Sequence, residues 1–424
     1  MRTALSLILI SFLFSTCANR AAVNCEDSWT VPVNRANPLG FGVNIHFTDP
    51  QPGEVEMIAA AGFNWVRMDF VWAVTEKRRG VYDFSDYDRL MTSLERNHLR
   101  ALFILDYGNP LYTVDKAVRT EAARQAFARW AVAAAQHFGG RGVLWEVFNE
   151  PNVELFWPPR PNVDEYIALA LAVGRSFRAH VPNEKLIGPA TNGIDFPFLE
   201  SCFKGGLLEY WSAVSVHPYR QLGPETAVAE YCRLRQLIEM YRPKRDTNET
   251  IPIIAGEWGY SSAWRGLSEP LQAQKLARQF LTNSANNVPL TIWYDWHDDG
   301  DDPSEAEHHF GLVGHSYRSG ADLVYQPKPS YLTAKTFLQF FGGYLFERRV
   351  PAESDDDFVL AFSNGKEQRL AVWTASRTHR LTIRLEPGSY AMTKHTGEDA
   401  GEVRSTQTGL SLEVTASPVY LRRR

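Results

Sequence analysis

Two glutamates stand where apolar runs end. Trp145-Glu146-Val147-Phe148 leads into Asn149-Glu150-Pro151-Asn152, and Ile253-Ile254-Ala255-Gly256 leads into Glu257-Trp258. Each run reads as a buried strand. Proline cannot donate to a sheet ladder, so the first strand should end at Pro151. Both carboxyls then sit at C-terminal strand tips, where barrels of parallel strands collect their reacting side chains. They are 107 residues apart, so only a fold can bring them together. Two facing carboxyls can break a glycosidic bond. One protonates the leaving oxygen and the other meets the positive charge at the anomeric carbon. Two surface glutamates after strands would do nothing, but Trp145, Phe148 and Trp258 beside them argue for a lined cavity.

The two tips resemble the catalytic signatures of clan A glycoside hydrolases. The similarity is closest to family 39, with family 5 next. Within family 39 it is closest to bacterial endoglycosidases that cut exopolysaccharides, and it covers about residues 38–424. The resemblance implies a retaining, two-step reaction with Glu150 as acid/base and Glu257 as nucleophile. It implies that Asn149 donates to the hydroxyl beside the anomeric carbon and that Arg67 hydrogen-bonds the nucleophile. A structural Arg67–Asp69 contact is the alternative for that arginine. It further gives Tyr219 as a donor to the nucleophile and His217 as a lining residue of the same subsite. Trp296 would be the stacking platform under the sugar, with Trp293 and Trp72 next in line. His46, ending the first strand, would also face the site. No cofactor and no metal is implied. The loop His297-Asp298-Asp299-Gly300-Asp301-Asp302 with His308-His309 lacks the ligand order of a calcium loop. It reads as a solvated acidic loop beside the cleft.

The elements that must position these residues alternate along the chain. Strands are expected at 41–47, 64–70, 100–107, 143–150, 185–189, 213–219, 252–260 and 289–296. Helical patterns separate them. Ala123, Phe127, Trp130, Ala134 and Phe138 recur at spacings of three and four, as do Tyr166, Leu169, Val173 and Phe177. Asn162 with Glu165 three residues on forms a capping arrangement. Eight such units predict an α/β fold, a (β/α)8 TIM barrel over 38–345. Beyond it, 357–362, 369–374, 381–385 and 410–414 read as short antiparallel strands, with a hairpin signal at Asn364-Gly365. They predict a small, sandwich-like β-domain over 346–424, a structural cap in preference to a carbohydrate-binding module.

The chain has 424 residues, 44% of them hydrophobic, and a formal net charge of −5. That balance offers no basic footprint for nucleic acid. Residues 1–22 have the form of a signal peptide, whose apolar run from Ala4 to Phe14 is too short to span a bilayer, so a secreted or periplasmic monomer is expected. Cys17 as a lipid anchor is the alternative. Cys202 and Cys232 fall on consecutive crossover segments and either pair or remain separate buried thiols, with Cys25 over. Asn248-Glu249-Thr250 is a glycosylation sequon. Trp72, Tyr107, Tyr112, Trp157, Tyr260 and Trp264 follow several different strands. That spread suits a groove for several sugars, hence endo action on a β-linked polysaccharide or oligosaccharide. An exo-acting β-xylosidase or a cellulase is the first rival. A carbohydrate-binding protein on a decayed barrel is the second.

Overall fold

The computed structural model describes residues 40–244 and 250–424. The expected leader, Cys17, Cys25 and the sequon at Asn248 lie outside the described residues. Eight parallel strands close into a barrel: β1 (Gly40–Asn44), β2 (Trp65–Val71), β3 (Arg100–Asp106), β4 (Leu144–Val147), β5 (Lys185–Asn192), β6 (Ala213–His217), β7 (Ile253–Trp258) and β8 (Leu290–Trp293). β1 pairs with both β2 and β8, which completes the ring.

Side chains alternate in and out along each strand. Trp65, Leu102, Ile104, Leu144, Ile187, Ala213, Ile254, Leu290 and Ile292 point inward and form a dry lower plug. One step further along, the same inward parity delivers Arg67, Glu146, Ser215 and His217, all 0% exposed. The interior therefore changes from apolar floor to polar mouth along the strand direction. Helices cover the outside. Helix Glu121–His137 is capped by Thr120, whose side chain accepts from the Ala123 N–H. Helix Val163–His180 is capped by Asn162, which accepts from Asp164 and Glu165 N–H. The Glu165 carboxylate does not reach back to the cap; it takes the Trp157 indole N–H at 2.9 Å.

The C-terminal part contains twice the four strands expected. They are β9 (Leu345–Arg349), β10 (Asp357–Ser363), β11 (Gln368–Thr374), β12 (His379–Ile383), β13 (Gly388–Lys394), β14 (Asp399–Ser405), β15 (Leu410–Val414) and β16 (Val419–Arg423). Six form an antiparallel sheet in the order β14-β13-β16-β11-β10-β9, and β12 pairs with β15. The β10–β11 turn spans four residues, with Gly365 at φ 87° and the Asn364 side chain accepting from two following N–H groups. Alternation gives this sheet two apolar faces. Val359, Ala361, Leu370 and Val372 pack with β12 and β15. Phe358, Phe362, Trp373 and Tyr420 join the core of the barrel.

The cysteines do not pair as one reading allowed. Cys202 is a free, buried thiol, whereas Cys232 is disulfide-bonded, so the two are not joined to each other.

Candidate active site

Arg67 is the hub. It rises from β2, fully buried, and all five of its N–H groups face partners. Nε donates to Glu146 Oε2 at 2.8 Å; one terminal nitrogen donates to Glu257 Oε2 at 2.6 Å and Asn44 Oδ1 at 3.2 Å. The other donates to Asn149 Oδ1 at 2.8 Å and faces His217 Nε2 at 3.2 Å. The alternative Arg67–Asp69 contact is not made. Burial alone would lower the guanidinium pKa, but the charges of Glu146 and Glu257 outweigh it and raise it.

Arg67 also decides the state of His217. A guanidinium only donates, so His217 Nε2 must accept. The imidazole is then the neutral Nδ1–H tautomer, and Nδ1 donates to Glu150 Oε1 at 2.8 Å. Burial, with the Arg67 charge adding to it, pushes the His217 pKa down to about 4 against the opposing pull of Glu257 and Glu146. The contact to Glu150 is a hydrogen bond between neutral imidazole and carboxyl.

The two glutamates are treated differently. Glu257 Oε2 holds Arg67, and Oε1 accepts the Tyr219 hydroxyl at 2.8 Å. Burial first, and then the Glu257 charge, hold the Tyr219 pKa well up, so it stays a donor. Both oxygens of Glu257 therefore face donors. Glu150 is 6% exposed, and burial raises its pKa to about 7 although the Asn192 hydrogen bond and the Arg67 charge oppose it. It can hold a proton at neutral pH. An oxygen of Glu150, an oxygen of Glu257 and a nitrogen of His217 all lie within 4.8 Å of one another. Three such ligands could surround a metal ion. Here Glu257 already faces a guanidinium, which would repel one, and His217 Nδ1 carries a proton.

Backbone irregularities aim these side chains. β4 ends at Val147, before the proline, because Phe148 (φ 68°) and Glu150 (φ 43°) take left-handed conformations that turn Asn149 and Glu150 over the barrel mouth. The β7–β8 register shifts between Ala255 and Trp258, which lets Glu257 face inward although Gly256 holds the inward parity. A Cβ on Gly256 would come 2.3 Å from Ser215 Oγ and 3.1 Å from Glu146 Oε1. Only glycine leaves room for the polar floor there.

The structure thus brings Glu150, Glu257, Asn149, Arg67, His217 and Tyr219 together. His46 stands at the rim, 38% exposed, with Nε2 3.3 Å from Asp295 Oδ2. Burial would lower its pKa, but that carboxylate raises it to about 9. The two tryptophan assignments are corrected. Trp296 is 1% exposed; its indole donates to Glu54 at 3.0 Å and its ring packs on Tyr325 and Tyr331. β8 ends at Trp293 and the chain turns, so the strand parity does not carry to Trp296. Trp72 opens the short helix Trp72–Thr75 after β2 and is 0% exposed, stacked on Tyr112 and Trp130. Trp293, Trp157 and Tyr260 are equally buried. Of the six loop aromatics, only Tyr107, Tyr112 and Trp264 remain partly exposed.

Four residues of the site escaped the sequence reading. Tyr294 follows Leu290 and Ile292 in inward parity; its ring lies between Tyr219 (6.5 Å) and His46 (5.7 Å), and its hydroxyl reaches Glu307 at 3.3 Å. Asn192 donates to both Glu150 oxygens at 3.1 Å. It faces inward because a register shift between Pro189 and Thr191 inserts a residue. Asn44 and Glu146 hold Arg67, and plain period-two counting would have found both.

No family model matches the chain, and no curated protein matches it at a significant level. Solved structures do. A family 39 glycoside hydrolase from the gut symbiont Bacteroides cellulosilyticus WH2 is similar over 92% of this chain and 81% of that one, with TM-score 0.77 and 23% identity. A family 39 β-xylosidase from Caulobacter crescentus covers 92% and 97%, at TM-score 0.65 and 16% identity. A family 30 endoxylanase from Clostridium papyrosolvens C71 covers the same shares, at 0.64 and 9%. The likeness extends over barrel and β-domain and establishes the fold they share.

Proposed function

We propose that this chain is a retaining O-glycoside hydrolase working by double displacement. The observation that carries the reading is the carboxyl pair, with oxygens of Glu150 and Glu257 within 4.8 Å. Retaining enzymes hold their carboxyls ~5–5.5 Å apart, whereas inverting ones need ~6.5–9.5 Å to admit a water. The environments of the two fit the two roles. Glu257, held by Arg67 and Tyr219, attacks the anomeric carbon. Glu150, protonated near pH 7, gives its proton to the leaving oxygen. Asn192 lies equally close to both oxygens and His217 donates to Oε1 alone, which leaves Oε2 as the oxygen that carries this proton. After departure, Glu150 accepts a proton from the water that frees the sugar from Glu257. The glycoside hydrolases among the structural neighbours support the same reading.

We carry endo action on a β-linked exopolysaccharide, in a secreted or periplasmic setting, as the finer part of the proposal. It is supported by the partly exposed Tyr107 and Tyr112 on the loop after β3 and Trp264 on the loop after β7. The test is hydrolysis of a panel of neutral and acidic polysaccharides with reducing-end detection. Mixed oligosaccharides support endo action and single sugars exo action. Binding without cleavage would support the decayed-barrel rival.

A further inference from the structure

Asp69 and Asp106 are carboxyls of the barrel mouth that the proposed reaction leaves unused. β2 and β3 run parallel, with Asp69 opposite Ile104 and Val71 opposite Asp106. Ile104 belongs to the inward plug. Asp69 and Asp106 therefore both face inward, diagonally across the strand pair. Asp69 stands one pleat, ~6.6 Å, beyond Arg67 toward the C-terminal mouth of the barrel. It is partly exposed, while Asp106 is 0% exposed.

Neither carboxyl oxygen of Asp106 meets an N–H or O–H donor among the described residues. The side chain within hydrogen-bonding reach is another acid, Asp69. The other titratable or charged groups facing Asp106 are Arg67 on β2, Glu146 on β4, Tyr87 on helix Ser85–Arg96, and the adjacent Tyr107. Arg67 has committed its five N–H groups elsewhere. Tyr87 gives its hydroxyl to the Asp69 carbonyl at 2.7 Å. Tyr107 turns to Asn149. Two carboxylates repel, but a carboxyl and a carboxylate sharing one proton attract.

We propose that Asp69 and Asp106 form a proton-sharing pair that binds a hydroxyl group of an uncharged sugar. Asp106 keeps the proton and donates it to one oxygen of Asp69; the other oxygen of Asp69 accepts from the substrate. Asp69 is a substrate-binding residue and Asp106 a positioning residue behind it. A uronate carboxylate placed here would oppose the Asp69 charge, so the sugar class is neutral. This inference rests on the glycosidase reading above.

The test uses the full chain with neutral β-glucan and β-xylan oligosaccharides and a β-linked polyuronate oligosaccharide. Infrared difference spectra are taken where Glu150 has ionised. Wild type should keep a protonated-carboxyl carbonyl band that D106N lacks. Against neutral oligosaccharides D106L should raise KM about tenfold or more, as for a lost charge-assisted hydrogen bond. D106N, whose amide still donates, should recover most of that. Wild-type KM should rise with pH as the shared proton is lost, and the D106N profile should be flat. Equal KM changes in D106L and D106N, an unchanged band, or preference for the polyuronate would overturn the proposal. If wild type hydrolyses none of these, the activity reading fails and the sugar-binding half with it; the band then judges the shared proton alone.

Discussion

Arg67 organises the hydrogen bonds of the site. It donates to Glu257, forces His217 into one tautomer, and through His217 leaves the Glu150 proton on a single oxygen. A general acid with its pKa raised to about 7 must lose its proton as pH rises through that value. The account therefore predicts an alkaline limb of kcat/KM near pH 7. The limb should vanish in Glu150→Gln assayed with an activated aryl glycoside, which needs no acid. A limb that persists in that variant would assign it to another group. Tyr294 and Trp296 make a second contrast at this scale. Tyr294→Ala should lower kcat/KM about tenfold or more, the scale of a lost aromatic contact, with the unfolding midpoint little changed. Trp296→Ala should instead cost about 3–5 kcal/mol of stability, because it empties a packed site. Denaturant titration beside steady-state kinetics separates the two.

At the scale of the strand, period two explains which residues could be found from sequence and which could not. Arg67, His217, Asn44 and Glu146 all follow from inward parity, and the first two were named through the family resemblance. Asn192 could not be, since an extra residue in β5 reverses the parity just before it. Glu257 also breaks parity, and was legible only because its motif resembles a known one. Trp296 failed for another reason: the strand expected over 289–296 ends at Trp293, so Trp296 is not at its tip. Gly256 offers a test of how tightly these irregularities are built. Gly256→Ala should reduce kcat by about a hundredfold, the effect of ~1 Å misplacement of a reacting group. Ser215→Ala removes the oxygen that a Cβ would strike, and its hydroxyl has no partner among the described residues. The double variant should regain most of the lost turnover. An additive double variant would place the damage elsewhere.

Across the whole molecule, barrel and β-domain share one core. Phe341 lies 4.6 Å from Phe362 and 5.0 Å from Tyr420, ring to ring. Glu225 binds Arg278 through two contacts of 2.7 Å and also takes the Trp373 indole N–H at 2.8 Å. Deleting residues 344–424 should therefore leave a barrel that does not fold, in contrast to a detachable binding module. Arg278→Ala should cost about 3–5 kcal/mol, because it leaves the Glu225 charge buried and unpaired. Thermal unfolding of the intact chain should be a single transition; two transitions would contradict a shared core. The alternation of strands and helices made the barrel readable from sequence. The β-domain was half readable, since β13 and β14 carry mostly partly exposed and exposed residues with no apolar run to mark them. The central claim concerns which carboxyl attacks. Treating the wild-type chain with an activated aryl 2-fluoroglycoside should trap a covalent sugar, and peptide mass spectrometry should place it on Glu257. A label on Glu150, or a first product of inverted anomeric configuration from the wild type, would contradict the account.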